Sequence, residues 1–216
     1  MRRTAVSPTT TQLMQYRFVN AYLVREDDGY TLVDTAMNAA AQILEAADAP
    51  IRRIALTHGH GDHVGSLDEL KKRLPDVEVA MPAIDAEIHA GERPKTKGSW
   101  PKLSTRPDVR LQPGDRVGSL EVVASPGHTP GHVSFFDTRD GTLIVGDTYT
   151  SFGSVQVSNH VYWRFPLAAM ATEDGEQDLA SAKALRALDP RLLLVGHGPA
   201  VPQPHAAMDR AIARAA

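Results

Sequence analysis

No cysteine occurs among the 216 residues. That absence excludes disulfides, thiolate nucleophiles, iron–sulfur clusters and sulfur-ligated zinc, so any metal must be held through nitrogen and oxygen. An excess of charge of one sign is also lacking: 23 basic and 26 acidic residues net −3. No global field draws such a chain onto a phosphate backbone or an anionic membrane, so neither nucleic acid nor membrane is an expected partner. No window approaches the ~20 apolar residues of a membrane span. Behind Arg2 and Arg3 there is no apolar stretch of the kind a secretory signal needs, which makes a cytoplasmic location the expectation. The 16 glycines and 15 prolines are an ordinary globular share. With neither repeat nor linker visible, residues 1–216 read as a single domain.

What the chain does have is histidine, nine in all, distributed among alternating strand and helix patterns. Gln15 to Arg25 is aromatic and β-branched, and Asp28-Gly29 turns it back into Tyr30 to Asp34, a hairpin signal. Met37 to Ala47 reads as a helix closed by Pro50, Ile51 to Leu56 as a strand, Val64 to Leu74 as a helix and Val77 to Met81 as a strand. Gly91 to Arg110 is a basic loop: Arg93, Lys95, Lys97, Lys102, Arg106 and Arg110 stand against Glu92 and Asp108. If it overhangs an active site, Lys95, Lys97 or Lys102 would attract an anionic substrate. Strands return at Leu120 to Ala124, His132 to Asp137 and Thr142 to Val145. A helix over Glu173 to Leu188 with Thr172 as its cap, a strand at Leu192 to Val195 and a helix over Ala206 to Ala215 complete the pattern.

Four metal-binding side chains fall within Thr57-His58-Gly59-His60-Gly61-Asp62-His63, directly behind a strand and ahead of a helix. His58 and His60 alternate on an extended segment and can point the same way, while the tighter step into the helix can turn Asp62 and His63 elsewhere. Three further elements place a ligand type beside glycine at a strand end: Pro126-Gly127-His128-Thr129-Pro130-Gly131, Gly146-Asp147 and Gly196-His197-Gly198. Loops above a rigid sheet are where metal sites are built.

On these residues the chain resembles the metallo-β-lactamase superfamily. The likeness runs from TLVDT through THGHGDH and PGHTPGH to the GD and GHG steps. It implies an α/β (α+β) fold, a four-layer αβ/βα sandwich of two mixed β-sheets flanked by helices. It implies two metal ions: one held by His58, His60 and His128, the other by Asp62, His63 and His197, with Asp147 bridging. Asp34 would orient the ligand loop, with Thr129 and His132 as possible supports. His89, His160 and His205 receive no role. Two Zn²⁺ per chain suit the donor set, with Fe or Mn able to use the same ligands. The implied activity is hydrolysis of a small ester, lactone or thioester by a hydroxide shared between the metals, with Asp62 and Asp147 as the catalytic carboxylates.

The alternative is an iron-dependent sulfur dioxygenase-like or non-catalytic metal-binding member. A β-lactamase activity is expected at most as a side activity, since no signal is visible and Asp147 is present. Only 19 residues follow His197, which leaves no helical domain of the glyoxalase II type. Phe152, Tyr162, Trp163 and Phe165 either wall a pocket or fill core. A homodimer is expected only from the general frequency of dimers.

Overall fold

The computed structural model describes residues 1–216. The chain opens with β1 (Arg2–Ala5), β2 (Thr10–Gln15), β3 (Val19–Glu26) and β4 (Gly29–Val33), then α1 (Ala40–Ala46), β5 (Ile51–Ala55), α2 (Gly61–Val64) and α3 (Leu67–Arg73). It continues through β6 (Glu78–Pro82), α4 (Ala83–Ala90), β7 (Val109–Leu111), β8 (Arg116–Val117), β9 (Leu120–Ala124), β10 (Val133–Asp137) and β11 (Thr142–Ile144). The last part holds β12 (Tyr149–Thr150), β13 (Gln156–Val157), α5 (Leu167–Ala171), α6 (Gly175–Ala187), β14 (Leu192–Leu194), β15 (Val201–Pro202) and α7 (His205–Ala215).

Two mixed sheets result, one ordered β1 through β7 in sequence and one ordered β15-β14-β11-β10-β9-β8. Side chains alternate across each strand, and the alternation assigns the layers. Tyr22, Val24, Val33, Ala55 and Ala80 of the first sheet meet Val122, Phe135, Ile144 and Leu194 of the second in a shared core. Their neighbours Leu23, Leu32, Ile54 and Val79 face the other way, onto Ile43, Leu67, Leu70 and Ala86 of α1, α3 and α4. On the far side, Leu143 and Leu193 pack on Ala182, Leu185, Met208 and Ala211 of α6 and α7. The order helix, sheet, sheet, helix is the four-layer sandwich expected.

Several local expectations are corrected. Gln15 to Arg25 is not one strand: Tyr16 and Arg17 take left-handed φ of 49° and 70°, and Phe18 N–H closes a turn on Gln15 O at 3.0 Å. The Val64 to Leu74 helix is split into α2 and α3 at Gly65-Ser66, and α4 lies where no helix was expected. The cap of α6 is Asp174, whose carboxylate accepts from Gln177 N–H at 2.9 Å; the Thr172 hydroxyl is engaged elsewhere.

Candidate metal centre

The candidate ligands sit where strands end. His58 to His63 follow β5, Asp147 follows β11, His197 follows β14, and His128 lies in the β9–β10 turn. Because β4, β5 and β6 are parallel, as are β11 and β14, these ends share one edge of the sandwich. Tertiary structure gathers the side chains into two groups, His58 with His60 and His128, and Asp62 with His63, Asp147 and His197. Within each group the ligand atoms lie within 4.8 Å of one another.

Each of the five candidate ligand histidines has one ring nitrogen tied outward and the other turned in. His58 Nδ1–H donates to Thr57 Oγ1 at 3.0 Å, and that hydroxyl donates to Asp34 Oδ2 at 2.8 Å. His63 Nδ1–H donates to Asp34 Oδ2 at 2.7 Å. His128 Nδ1–H donates to Thr172 Oγ1 at 2.9 Å, and Thr172 passes its own proton to a backbone carbonyl. His60 Nε2–H donates to Lys97 O at 2.9 Å, and His197 Nδ1–H to Phe18 O at 3.3 Å. Outer partners of this kind fix the tautomer, so that each ring, when neutral, turns its lone pair inward.

The inward atoms lack what such atoms need. His58 Nε2, His63 Nε2 and Asp147 Oδ1 are buried without a hydrogen-bond partner, and the inward nitrogens His60 Nδ1 and His128 Nε2 face each other at 3.1 Å. Buried polar atoms are nearly always satisfied, so this concentration of unmet acceptors calls for cations. The residues fit a pair of divalent metals: all donors are nitrogen or oxygen, and Asp147 reaches both groups, its Oδ1 3.3 Å from His63 Nε2 and its Oδ2 3.5 Å from His128 Nε2.

Electrostatics separate the two groups. Burial holds the His58 and His128 rings well below the usual imidazole range and lowers His60 as well, so these rings present lone pairs. Burial opposes charge on His63 and His197 too, but Asp147 and its neighbouring carboxylates outweigh it, holding His63 well above its usual range and pushing His197 up to about 9. Burial would raise Asp147, yet His197 and His63 keep it well below the ordinary carboxylate range.

Three supports emerge. Asp34, itself at a left-handed φ of 58°, also accepts from Thr57 N–H at 2.8 Å, which seats the histidine loop. His132 is not in either ligand group: its Nε2 accepts from Asp147 N–H at 3.1 Å and its Nδ1–H donates to Ser125 Oγ at 2.9 Å, so it seats the Asp147 backbone. Asp85 on α4 is the support that sequence reasoning missed. Its carboxylate accepts from Gly59 N–H at 2.8 Å, Thr129 Oγ1–H at 2.8 Å and Gly131 N–H at 3.0 Å, bolting the first histidine loop to the His128 loop. A carboxylate with no role in its own local pattern gives no signal in a single chain.

Burial pushes the Asp85 carboxyl from 3.8 up to about 6, against the three donors. A raised acid pKa means the folded state holds the proton longer, so stability from this group falls as pH rises from 3.8 to about 6. Wild type is therefore expected to lose up to about 3 kcal/mol relative to Asp85→Asn over that window, read from denaturant unfolding at each pH. The same variant leaves a donor facing an amide NH₂, and kcat/KM should drop about 10- to 100-fold.

The candidate ligands open into a cavity of about 590 Å³ whose wall includes Phe18, Met37, Phe165, Leu167, Ala168 and Ala171, and no lysine or arginine. This corrects the expectation for the basic loop. Only Ser99 and Pro101 of it reach the cavity; Lys97 Nζ donates to the carbonyls of Thr172 and Glu173, and Lys95 Nζ to that of Trp100. Of the four aromatics, Phe165 lines the cavity while Trp163 is 77% exposed. His89, given no role, donates from Nε2 to Gly59 O at 2.8 Å. His160 and His205 lie with Asn159 and Asp189, apart from the ligands.

Comparison with known proteins shows the family. The family model described as "Metallo-beta-lactamase superfamily" matches residues 15–197. The chain is 40% identical over 210 residues to the uncharacterized protein YobT of Bacillus subtilis (strain 168), covering 91% of this chain and 90% of that one. It is 34% identical over 164 residues to a hydroxyacylglutathione hydrolase of Rhodopseudomonas palustris (strain ATCC BAA-98 / CGA009), covering 68% of this chain and 58% of the relative. The crystal structure of TTHA1623 in a di-iron-bound form superposes with a TM-score of 0.67 at 25% identity, covering 96% of this chain and 97% of the other. No helix is long and apolar enough to cross a membrane. A family match across most of the chain, on the loops that converge here, makes this chain a member of the metallo-beta-lactamase superfamily and a metal-dependent hydrolase.

Proposed function

We propose that residues 1–216 form one catalytic domain that hydrolyses a small ester, lactone or thioester with two zinc ions, held by His58, His60 and His128 and by Asp62, His63 and His197, with Asp147 between them. The observation that carries this reading is the pair of ligand groups touching through one buried carboxylate. When bound, such a metal pair supplies Lewis acidity toward a carbonyl oxygen and lowers the pKa of a water. The chain's own residues do the rest. The apolar wall of Phe165, Leu167 and Ala168 receives the acyl group and excludes water from it. Asp62, the one candidate ligand with substantial side-chain exposure at 31%, faces the cavity, where its carboxylate, kept ionised by His63 and His197, can relay a proton toward the departing oxygen or sulfur. Thr57, Asp34 and Thr172 keep the imidazoles oriented throughout.

The di-iron form of TTHA1623 gives iron a specific claim as the resident metal. Metal analysis of protein purified without added metal decides between them. Two zinc equivalents, with hydrolysis lost on chelation and restored by zinc, is the expected result. One tightly bound iron with oxygen uptake and no hydrolysis across lactone, thioester, aryl ester, phosphodiester and β-lactam substrates would replace this reading with an oxidative one.

A further inference from the structure

The catalytic cavity lacks a cation of its own, but a second cavity, of about 720 Å³, lies against it. The two share Phe18. That ring packs 5.8 Å from Phe165 and 6.0 Å from His197, and Phe152, which lines the second cavity, packs 5.8 Å from Phe165. Phe18 is thus a wall of both spaces, packed among Phe165, His197 and, through Phe165, Phe152. Met14 and Tyr16 supply further apolar wall, Tyr16 being 64% exposed.

The charge of this cavity is one-sided. Arg2 and Arg17 line it and no aspartate or glutamate does. In a chain rich in ion pairs, several arginines are engaged, Arg53 with Asp28, Arg139 with Asp137 and Arg186 with Asp209 among them. Arg2 and Arg17 have no such carboxylate. Arg17 is presented by the turn in which Tyr16 and Arg17 both take left-handed φ, a conformation that costs a non-glycine residue roughly 1–2 kcal/mol. The antiparallel pairing of β2 with β3, which sets Gln15 opposite Val19, holds that turn in place.

We propose that this second cavity is the subsite for the leaving group of the substrate, and that the leaving group carries an anion, a carboxylate or a phosphate, received by Arg2 and Arg17. The proposal rests on the ester and thioester reading above. The acyl group has its apolar wall at Leu167, Ala168 and Ala171; the other half of the molecule then leaves past His197 and Phe18, toward the two guanidiniums. Flat apolar stems pack on Phe18 and Phe152, and the planar guanidinium forks suit oxyanions. The substrate class is an acyl thioester or ester of an acidic thiol or alcohol.

The test uses the zinc-loaded protein and one acyl group, hexanoyl, on three thiols: neutral N-acetylcysteamine, 3-mercaptopropionate and phosphopantetheine. Wild type should show a lower KM for an anionic thioester than for the neutral one, the carboxylate and phosphate arms telling the two anions apart. Exposed guanidiniums are worth little each, so Arg2→Ala and Arg17→Ala should each raise the anionic KM roughly fivefold, and the double variant roughly 20-fold. The kcat values and the neutral substrate should stay unchanged, and Arg17→Lys should recover part of the loss. In NMR titrations with S-methyl-3-mercaptopropionate, the Phe18 and Gly153 amides should shift in wild type and not in the double variant. Equal KM for all three thioesters in wild type, or an equal rise for all three in the variants, would overturn the subsite while leaving the hydrolase reading intact. Amide shifts without hydrolysis of any thioester would keep the subsite and overturn the assigned reaction.

Discussion

Asp147→Asn is expected to lower kcat/KM on the best ester substrate by about 1,000-fold, with circular dichroism unchanged and bound metal falling below two equivalents. Asp147 is 3% exposed, and its Oδ2 lies 3.1 Å from His197 Nε2 while Oδ1 lies 3.3 Å from His63 Nε2. It is the only carboxylate placed between both ligand groups. The amide keeps the shape but removes the charge, and its nitrogen offers a donor where a ligand must accept. His132 would still hold the backbone N–H, so the loop need not move. A variant with full rate and full metal content would remove Asp147 from the bridging position.

Gly196→Ala, which touches no ligand's chemistry, is expected to be nearly as damaging, on the order of 100-fold in kcat/KM with a loss of bound metal. A Cβ at Gly196 would overlap Asp147 Oδ1 and lie 2.7 Å from His63 Cε1. The backbone cannot yield, because Gly196 N–H donates to Gly146 O at 2.7 Å and Gly196 O accepts from Asn20 N–H at 2.9 Å. The added methyl must therefore displace the carboxylate. Overpacking of this kind costs about 1–3 kcal/mol, which a thermal melt will register as a modest decrease alongside the larger loss of activity. Unchanged metal content and rate would mean that Asp147 tolerates displacement and is not held tightly between the two groups.

The donors of the histidine loop, His58, His60, Asp62 and His63, were legible because they are nearly consecutive, and His128, Asp147 and His197 because each stands beside glycine in a loop next to a strand. The sandwich was expected from the resemblance of those motifs, but the faces of β3 were not legible: Val19 to Val24 are all buried, and only the structure sends Tyr22 and Val24 to one core and Leu23 to the other. What misled were positions whose local signal is overruled at a distance. Thr172 has the side chain of a helix cap, but its hydroxyl is taken by His128, so the cap falls to Asp174. Gly65 sits within a helical pattern, yet a Cβ there would lie 3.0 Å from Ala36 O, and α2 and α3 part at that close approach. Tyr16-Arg17 carries no turn residue, and the β2–β3 pairing imposes the turn regardless. Lys97 looked free in a basic run, but two backbone carbonyls of a distant segment hold it.

By itself the sequence determined the kinds of donor, their order and the succession of strands and helices. It did so because ligand type and local propensity are properties of neighbouring residues. Only the tertiary structure decided which nitrogen of each candidate ligand histidine faces inward, that Asp85 ties two loops together, and that Arg2 and Arg17, not the lysines of the basic loop, line the cavity that shares Phe18 with the candidate site. Those outcomes depend on hydrogen bonds and cavity walls formed between residues far apart in the chain, such as His197 with Phe18 and His128 with Thr172. A side chain's orientation is set by its partners in space, and no local pattern names them.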